Sequence, residues 1–370
     1  MHTRFEATGS LSALEQALFS LEALPEVHGL LVLTCDANDF CAAHLDPILH
    51  RLGKPVCGGI FPGIIFGSAH FERGSIVVGL PARPDVRHVG ELSDPTQGVE
   101  QAVAALADLG NGQGTLLVFV DALAGRIGDL ISALFEQPGL GVNQIGGGTG
   151  SLSPPRKPSV ISNSGLLQDT AQVIHLDIES SLGMAHGWSI VSESMKVTAA
   201  KQNTIHSLNY RPAIDVYREK IAAHAGVSPD QENFSATAKA YPFGIFKLGS
   251  EVVARDPVTV SDDGNLTCIG ELPAGSFIHL LHGEPAALIA AAGQAAREAE
   301  CGGKSGKIRL FIDCISRVHF LAERFAEELA AVQGDEPMIG VLALGEICNN
   351  GRDYPEFFNK TAVIGLLGTA

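Results

Sequence analysis

Basic clusters are what this chain of 370 residues most clearly lacks: its formal net charge is −16 and no block of Lys or Arg stands out. That excludes the electrostatic footprint of a nucleic-acid or anionic-membrane binder. No apolar run reaches the ~18 residues a membrane span requires. The opening stretch, MHTRFEATGSLSALEQALFSLEAL, has neither the basic start nor the unbroken apolar run of a secretory signal. The seven cysteines (Cys35, Cys41, Cys57, Cys268, Cys301, Cys314 and Cys348) form no CxxC pair. A disulfide framework or structural zinc site is therefore not expected, and the thiols suit a reducing cytoplasm. CxxCH is missing, which excludes covalent c-type haem attachment, and GxSxG and HExxH are missing too. IGGGTGSLSPPRKPS is glycine-rich, but it lacks the Gly-Lys-Ser/Thr ending of a phosphate loop, and Pro154-Pro155 bars the helix such a loop needs.

Abundant Ala, Gly, Leu and Val with aromatics at only 6% fit an α/β protein with much buried sheet. One arrangement occurs three times: strand, helix, strand with glycine at its exit, polar loop, strand. The first copy starts at GLLVLTCD (29–36), the second at TLLVFVD (115–121) and the third at IRLFIDC (308–314). The expected fold is α/β, with repeated β-α-β units forming covered mixed sheets. Between the second and third copies, alternating segments such as SMKVTAA and TIHSLNY predict antiparallel β insertions, and SDDGN (261–265) predicts a hairpin turn. RPAIDVYREKIAAHAG predicts a helix opened by Pro212 and closed by Gly226. The length suggests a two-part architecture. The expected division is a lead-in over 1–27, one domain over 28–225 and another over 226–370, with AGVSPDQENFS as linker.

FIDCISRVHFLAERFAEEL (311–329) carries the most chemistry. A strand should end near Asp313 and a helix begin within a few residues, with Ser316 as N-cap, and FLAERFAEELAAV (320–332) reads as helix. Cys314 and Arg317 then stand at a helix N-terminus, whose field favours an anion and lowers a thiol pKa. The parallel strand 339–344 delivers Gly345 and Glu346 to the same sheet edge. Arg317 and Glu346 are thus expected to line one crevice with opposite charges, joined by Asn349, Asn350 and Asn359. Of the thirteen histidines, His186, His206 and His319 lie nearest the informative segments.

Taken together, FIDCISRVHFLAERFAEELAAV, PMIGVLALGEI and PEFFNKTAVIGLL resemble the C-terminal half of FIST proteins, a bacterial sensory module. The pattern is Cys314-x-x-Arg317, then Gly345-Glu346-Ile347, then Asn359-x-Thr361. VARDPVTV and GELPAGSFIHLL fit as well, through Arg255, Gly270 and Gly275. GKPVCGGIFPGIIF, IGGGTGS, MAHGW and LNYRPAIDVYREKI resemble the family's N-terminal half. Phe358 stands where the family often has His, and Cys348-Asn349 where Gly-Pro is usual.

The resemblance implies a non-catalytic, cytoplasmic ligand sensor with Cys314, Arg317, Gly345, Glu346 and Asn359 at the ligand. It is similar to stand-alone members that bind haem b, respond to nitric oxide and regulate a partner histidine kinase. His186, His206 and His319 are then the axial candidates, and Arg317 would meet a propionate. A sensor of amino acids or another small metabolite, with Arg317 on the carboxylate and Glu346 on the amine, is the alternative. A cysteine-dependent enzyme with Cys314 as nucleophile is a third. No metal site, nucleic acid or membrane is expected, and a homodimer is left open. Signalling is expected to follow closure of the two halves about hinges near 226 and at the glycine-rich exits.

Overall fold

The recurring pattern folds as three copies of one unit. A computed structural model describes all residues except 107–108, 110–112, 137–141, 227–233, 247–251, 303–307, 350–355 and 369–370. The first unit comprises β1 (His2–Glu6), α1 (Leu11–Glu22), β2 (Gly29–Cys35), α2 (Ala42–Leu49) and β3 (Val56–Phe61). A hairpin, β4 (Gly63–Phe66) and β5 (Ala69–Phe71), and a return strand, β6 (Ser75–Leu80), complete it. The second unit repeats this order with β7 (Asp85–Val89), α3 (Val99–Ala104), β8 (Thr115–Asp121), α4 (Ile127–Glu136) and β9 (Asn143–Thr149). Its hairpin is β10 (Val160–Ser162) and β11 (Gly165–Leu167), and its return strand is β12 (Ala171–Leu176).

The third unit opens with β13 (Ser180–Ala185) and is then interrupted. The insertion holds β14 (Trp188–Ile190), β15 (Met195–Lys201), β16 (Thr204–Leu208), β17 (Arg211–Pro212), α5 (Ala213–Ala225) and α6 (Phe234–Ala238). It continues through β18 (Phe243–Phe246), β19 (Val252–Val260), β20 (Leu266–Ile269) and β21 (Phe277–Gly283). The unit resumes with α7 (Pro285–Cys301), β22 (Ile308–Cys314), α8 (Ile315–Leu321), α9 (Phe325–Val332) and β23 (Met338–Ala343). It ends with the hairpin β24 (Glu346–Asn349) and β25 (Glu356–Phe358) and the strand β26 (Ala362–Leu367).

In each unit the two strands flanking the crossover helix pair in parallel, and the return strand lies antiparallel on the far side of the first. The hairpins do not stay at home. The sheets run β1-β6-β2-β3-β10-β11, β7-β12-β8-β9-β24-β25 and β13-β26-β22-β23-β4-β5. Each hairpin therefore extends the sheet of another unit, in a closed cycle. The inserted strands make a separate antiparallel sheet whose pairing closes on itself, because β18 joins both β19 and β21.

Alternation along the strands dictates the layers. Leu31 and Leu33, Leu117 and Phe119, and Leu310 and Ile312 face one central core where the three sheets meet. Leu30 and Val32 face α1 and α2, Leu116 and Val118 face α3 and α4, and Phe311 faces α7 and α9. Both faces are covered, so the strands read as unbroken apolar runs. At one register in every unit the crossover-return strand carries glycine: Gly58 opposite Val32, Gly146 opposite Val118, Gly340 opposite Phe311. A Cβ there would fall 1.9, 1.8 and 2.1 Å from the facing carbonyl oxygen, so no larger residue fits.

Two local expectations are corrected. The helix expected over 320–332 breaks at Ala322, whose φ is 49°, and α9 starts afresh at Phe325. The break lets Glu328 fold back onto Arg317; in one straight helix these residues would be about 16 Å apart along the axis. The N-cap of α8 is Cys314, not Ser316. Pro212 and Gly226 do bracket α5, and Ser261 and Gly264 close the expected hairpin turn. Most of the expected linker falls on 227–233, outside the described residues.

Candidate functional site

The apolar runs of β22 and β23 end side by side, in register at Cys314 and Ala343. Beyond them the chain must turn. Gly345 turns with φ +104°, where a Cβ would strike the Phe357 ring at 2.4 Å. Lys360 takes a left-handed φ of 57° just before β26. These turns, with β19, β20, the end of α6 and Leu152 from the second unit, enclose a hollow of about 230 Å³. Apolar side chains of Leu152, Val258, Ile269, Ile315 and Leu344 form much of its wall, and Asp256, Cys314, Ser316, His319, Gly345 and Asn359 also border it.

Asp256 and Ser316 are anchored, whereas the amide oxygen of Asn359 is not. Asp256 Oδ2 accepts from Ser316 Oγ at 3.0 Å and pairs with Lys360 Nζ at 3.1 Å. Lys360 Nζ also donates to Lys239 O at 3.1 Å and lies 4.8 Å from the centroid of the Trp188 ring, a cation–π contact. Burial pushes the Asp256 carboxyl up, against the pull of Lys360. Asn359 is 1% exposed; its Nδ2 donates to Phe358 O, but its Oδ1 has no partner among the described residues. A buried amide oxygen left without a donor costs about 1–3 kcal/mol. Asn359 is one of the residues that border the hollow.

Of the residues the sequence singled out, Cys314, Gly345, Asn359 and His319 border this hollow. Arg317 and Glu346 do not: both are fully buried behind its wall. Arg317 grips Glu328 through Nε at 3.0 Å and Nη2 at 2.6 Å, and its Nε lies 3.2 Å from Asp313. The rest of its guanidinium donates to the carbonyls of His186, Lys360 and Leu288. No donor of Arg317 remains for a ligand carboxylate. Glu346 accepts from Thr361 N at 3.1 Å and stands beside the Cys314 thiol, and burial pushes its carboxyl up to about 8.

The same burial, reinforced by Glu346, raises the Cys314 thiol well above its ordinary range instead of lowering it. The helix behind it has only seven residues. The expected anion site and activated thiolate are therefore both replaced by a neutral, buried thiol. His186 Nδ1 accepts from Trp188 N at 2.9 Å, and burial with Arg317 holds it neutral, down to about 4. His206 lies on β16, bonded to Asn265 at 2.9 Å. Asn349 lies within β24, and Asn350 falls outside the described residues.

The hollow is smaller than the ~300–1,000 Å³ of sites for larger ligands, Arg317 offers nothing to a propionate, and His319 alone of the three candidate histidines borders it. The residues do not fit haem at this place. A larger trough of about 700 Å³, lined by Leu52, Arg83, His88 and Asn163 among others, is more open. Its Asn163 amide is engaged on both sides, with Val56 N and with the carbonyls of Leu52 and Lys54. No described buried side chain waits there for a ligand.

Asp256 and Lys360 were missed in the sequence. Each adjoins or interrupts an apolar strand, Asp256 ahead of Pro257 and Lys360 ahead of TAVIGLL. A charge at such a point has to find a buried partner.

A FIST N domain model matches residues 29–211 and a FIST C domain model matches residues 213–349. No curated protein matches the chain.

Proposed function

The chain belongs to the FIST family, whose domains are in general signal-transduction sensors of small ligands and not catalysts; from that premise we propose that its ligand sits in the hollow at the end of β22 and β23. The ligand is a compact apolar body with a hydrogen-bond donor. The unpartnered Oδ1 of buried Asn359 carries this reading. A small metabolite with an amine meets these terms, its amine toward Asn359 and Asp256.

Transmission proceeds through the inserted sheet. Closure of two halves is opposed by the topology, since β4 and β24 each pair with strands of the other half. The inserted sheet supplies Asp256, Val258 and Ile269 to the hollow, so filling it shifts that sheet against the third unit. A separate signalling partner reads the shift, and a histidine kinase is the partner the family resemblance suggests.

The test is a thermal-shift and equilibrium-dialysis screen of the common amino acids and their amines against the purified chain. A bound compound should lose about tenfold in affinity in Asn359→Ala and all binding in Ile269→Trp, which fills the hollow. Affinity unchanged in both variants overturns the site. An absorption spectrum of protein from haem-supplied cells should lack a Soret band, and its presence overturns the small-ligand assignment.

A further inference from the structure

The charges behind the hollow do not balance. Asp313, Glu328 and Glu346 are fully buried and Asp256 is 7% exposed, whereas the buried cations joined to them are Arg317 and Lys360. Arg317 is committed to Glu328 and Asp313, and Lys360 to Asp256. Glu346 is left with the Thr361 N–H on one oxygen and no hydrogen-bond donor on the other among the described residues. Four carboxyls thus face two cations, and the one left without a cation of its own is Glu346, which burial favours in the neutral form. Acidic side chains alone make no site; the second observation is Asn359 Oδ1, an unpartnered acceptor, buried on the wall of the adjoining hollow.

Resting on the reading of the hollow as the ligand site, we propose that its ligand is an organic cation, a protonated amine on a small branched apolar body, and that binding releases a proton from Glu346. The exchange balances: one positive charge enters the hollow and one proton leaves the carboxyl behind Cys314. The groups facing Glu346 are the Cys314 thiol at the end of β22, Asp313, Arg317 from α8 and Lys360 from the turn before β26. The two cations are already paired, so an arriving ammonium supplies the field that ionises Glu346. The raised carboxyl, at about 8, keeps the empty site protonated at neutral pH. Amine affinity therefore rises with pH up to that value and then levels off.

Isopentylamine, isopentanol and isovalerate share one apolar body and differ in charge. Each is titrated calorimetrically into the full chain near neutral pH, in phosphate and in Tris, whose ionisation heats differ. The amine is expected to bind more tightly than the alcohol, isovalerate least, and the amine alone to show buffer-dependent heat, with about half a proton or more released. Glu346→Gln, which keeps an oxygen for Thr361 N, should weaken the amine about tenfold and abolish the buffer dependence. Asn359→Ala should weaken amine and alcohol alike and keep the proton release. Isovalerate binding as tightly as the amine, heat independent of buffer, or release persisting in Glu346→Gln each overturns the exchange while leaving the hollow a ligand site. If the alcohol and both ions fail to bind, the hollow itself is overturned as the site.

Discussion

The second and third units end their central strands in the same frame and finish them in opposite ways. Asp121 closes β8 where Cys314 closes β22, and Asp169 (φ 54°) stands before β12 where Lys360 (φ 57°) stands before β26. In the second unit the polar groups satisfy one another around buried Asp121, with Arg156 and Asp169 partly exposed. Arg156 reaches Asp121 at 2.6 Å and Asp169 at 3.2 Å, Asp121 takes the Leu123 and Asp169 N–H groups, and Asp169 takes Ser93. In the third unit the inserted sheet covers the edge, the charges are shut in, and Asn359 is left with an acceptor to spare. One scaffold thus seals an edge with ion pairs that satisfy one another and turns its counterpart into a receptor by roofing it.

The sharpest way to break this comparison is to attack the frame itself. Gly146→Ala and Gly340→Ala place a Cβ on the facing carbonyl in equivalent positions. Each should cost about 4 kcal/mol or more, or prevent folding, as read from soluble yield and urea unfolding. If either is tolerated, the two units do not share that register.

A smaller contrast comes from the arginines. Arg317→Met strands Asp313 and Glu328 in the interior and should cost about 3–5 kcal/mol. Arg156→Met takes the cation from Asp121, which is 1% exposed but keeps the Leu123 and Asp169 N–H groups, and should cost less, about 1–3 kcal/mol. Equal losses in urea unfolding would erase the difference between the edges.

The pH dependence is the finest test, because the two edges carry opposite signs. Glu346 has a raised folded value, so its contribution is full below the unfolded value of 4.5 and is lost as pH rises toward about 8. For Asp169 burial is the largest influence and pushes up, but the Ser93 hydrogen bonds and Arg156 together bring it below 3.8. Its contribution is present above 3.8 and is lost as pH falls through the folded value. Glu346→Gln should therefore flatten the alkaline side of the stability profile and Asp169→Asn the acid side. Exchanged outcomes would reverse the assignment.

The repetition was legible because buried strands advertise themselves as unbroken apolar runs and the helices between them do not. The exchange of hairpins was not legible. GIIF carries no mark that it will pair with MIGVLA of another unit instead of a neighbour, since pairing partners are set by tertiary contact and not by local pattern. Within the site, Cys314, Gly345 and Asn359 could be placed from where strands end. The directions of Arg317 and Glu346 could not, because they depend on Glu328, carried by a helix whose break at Ala322 has no proline or glycine to announce it.

The traded hairpins have a consequence for how such a chain can be divided. Severed between its family-defined parts, each fragment would hold a hairpin torn from its acceptor and a sheet missing its outer pair. Neither piece is a self-sufficient body, whatever its length. Three loose copies of a single unit, by contrast, could complete one another in a ring, each lending its arm to the next. The present polypeptide is such a ring written as one continuous thread, and the roofed hollow lies at the one link where the thread detours through the inserted strands.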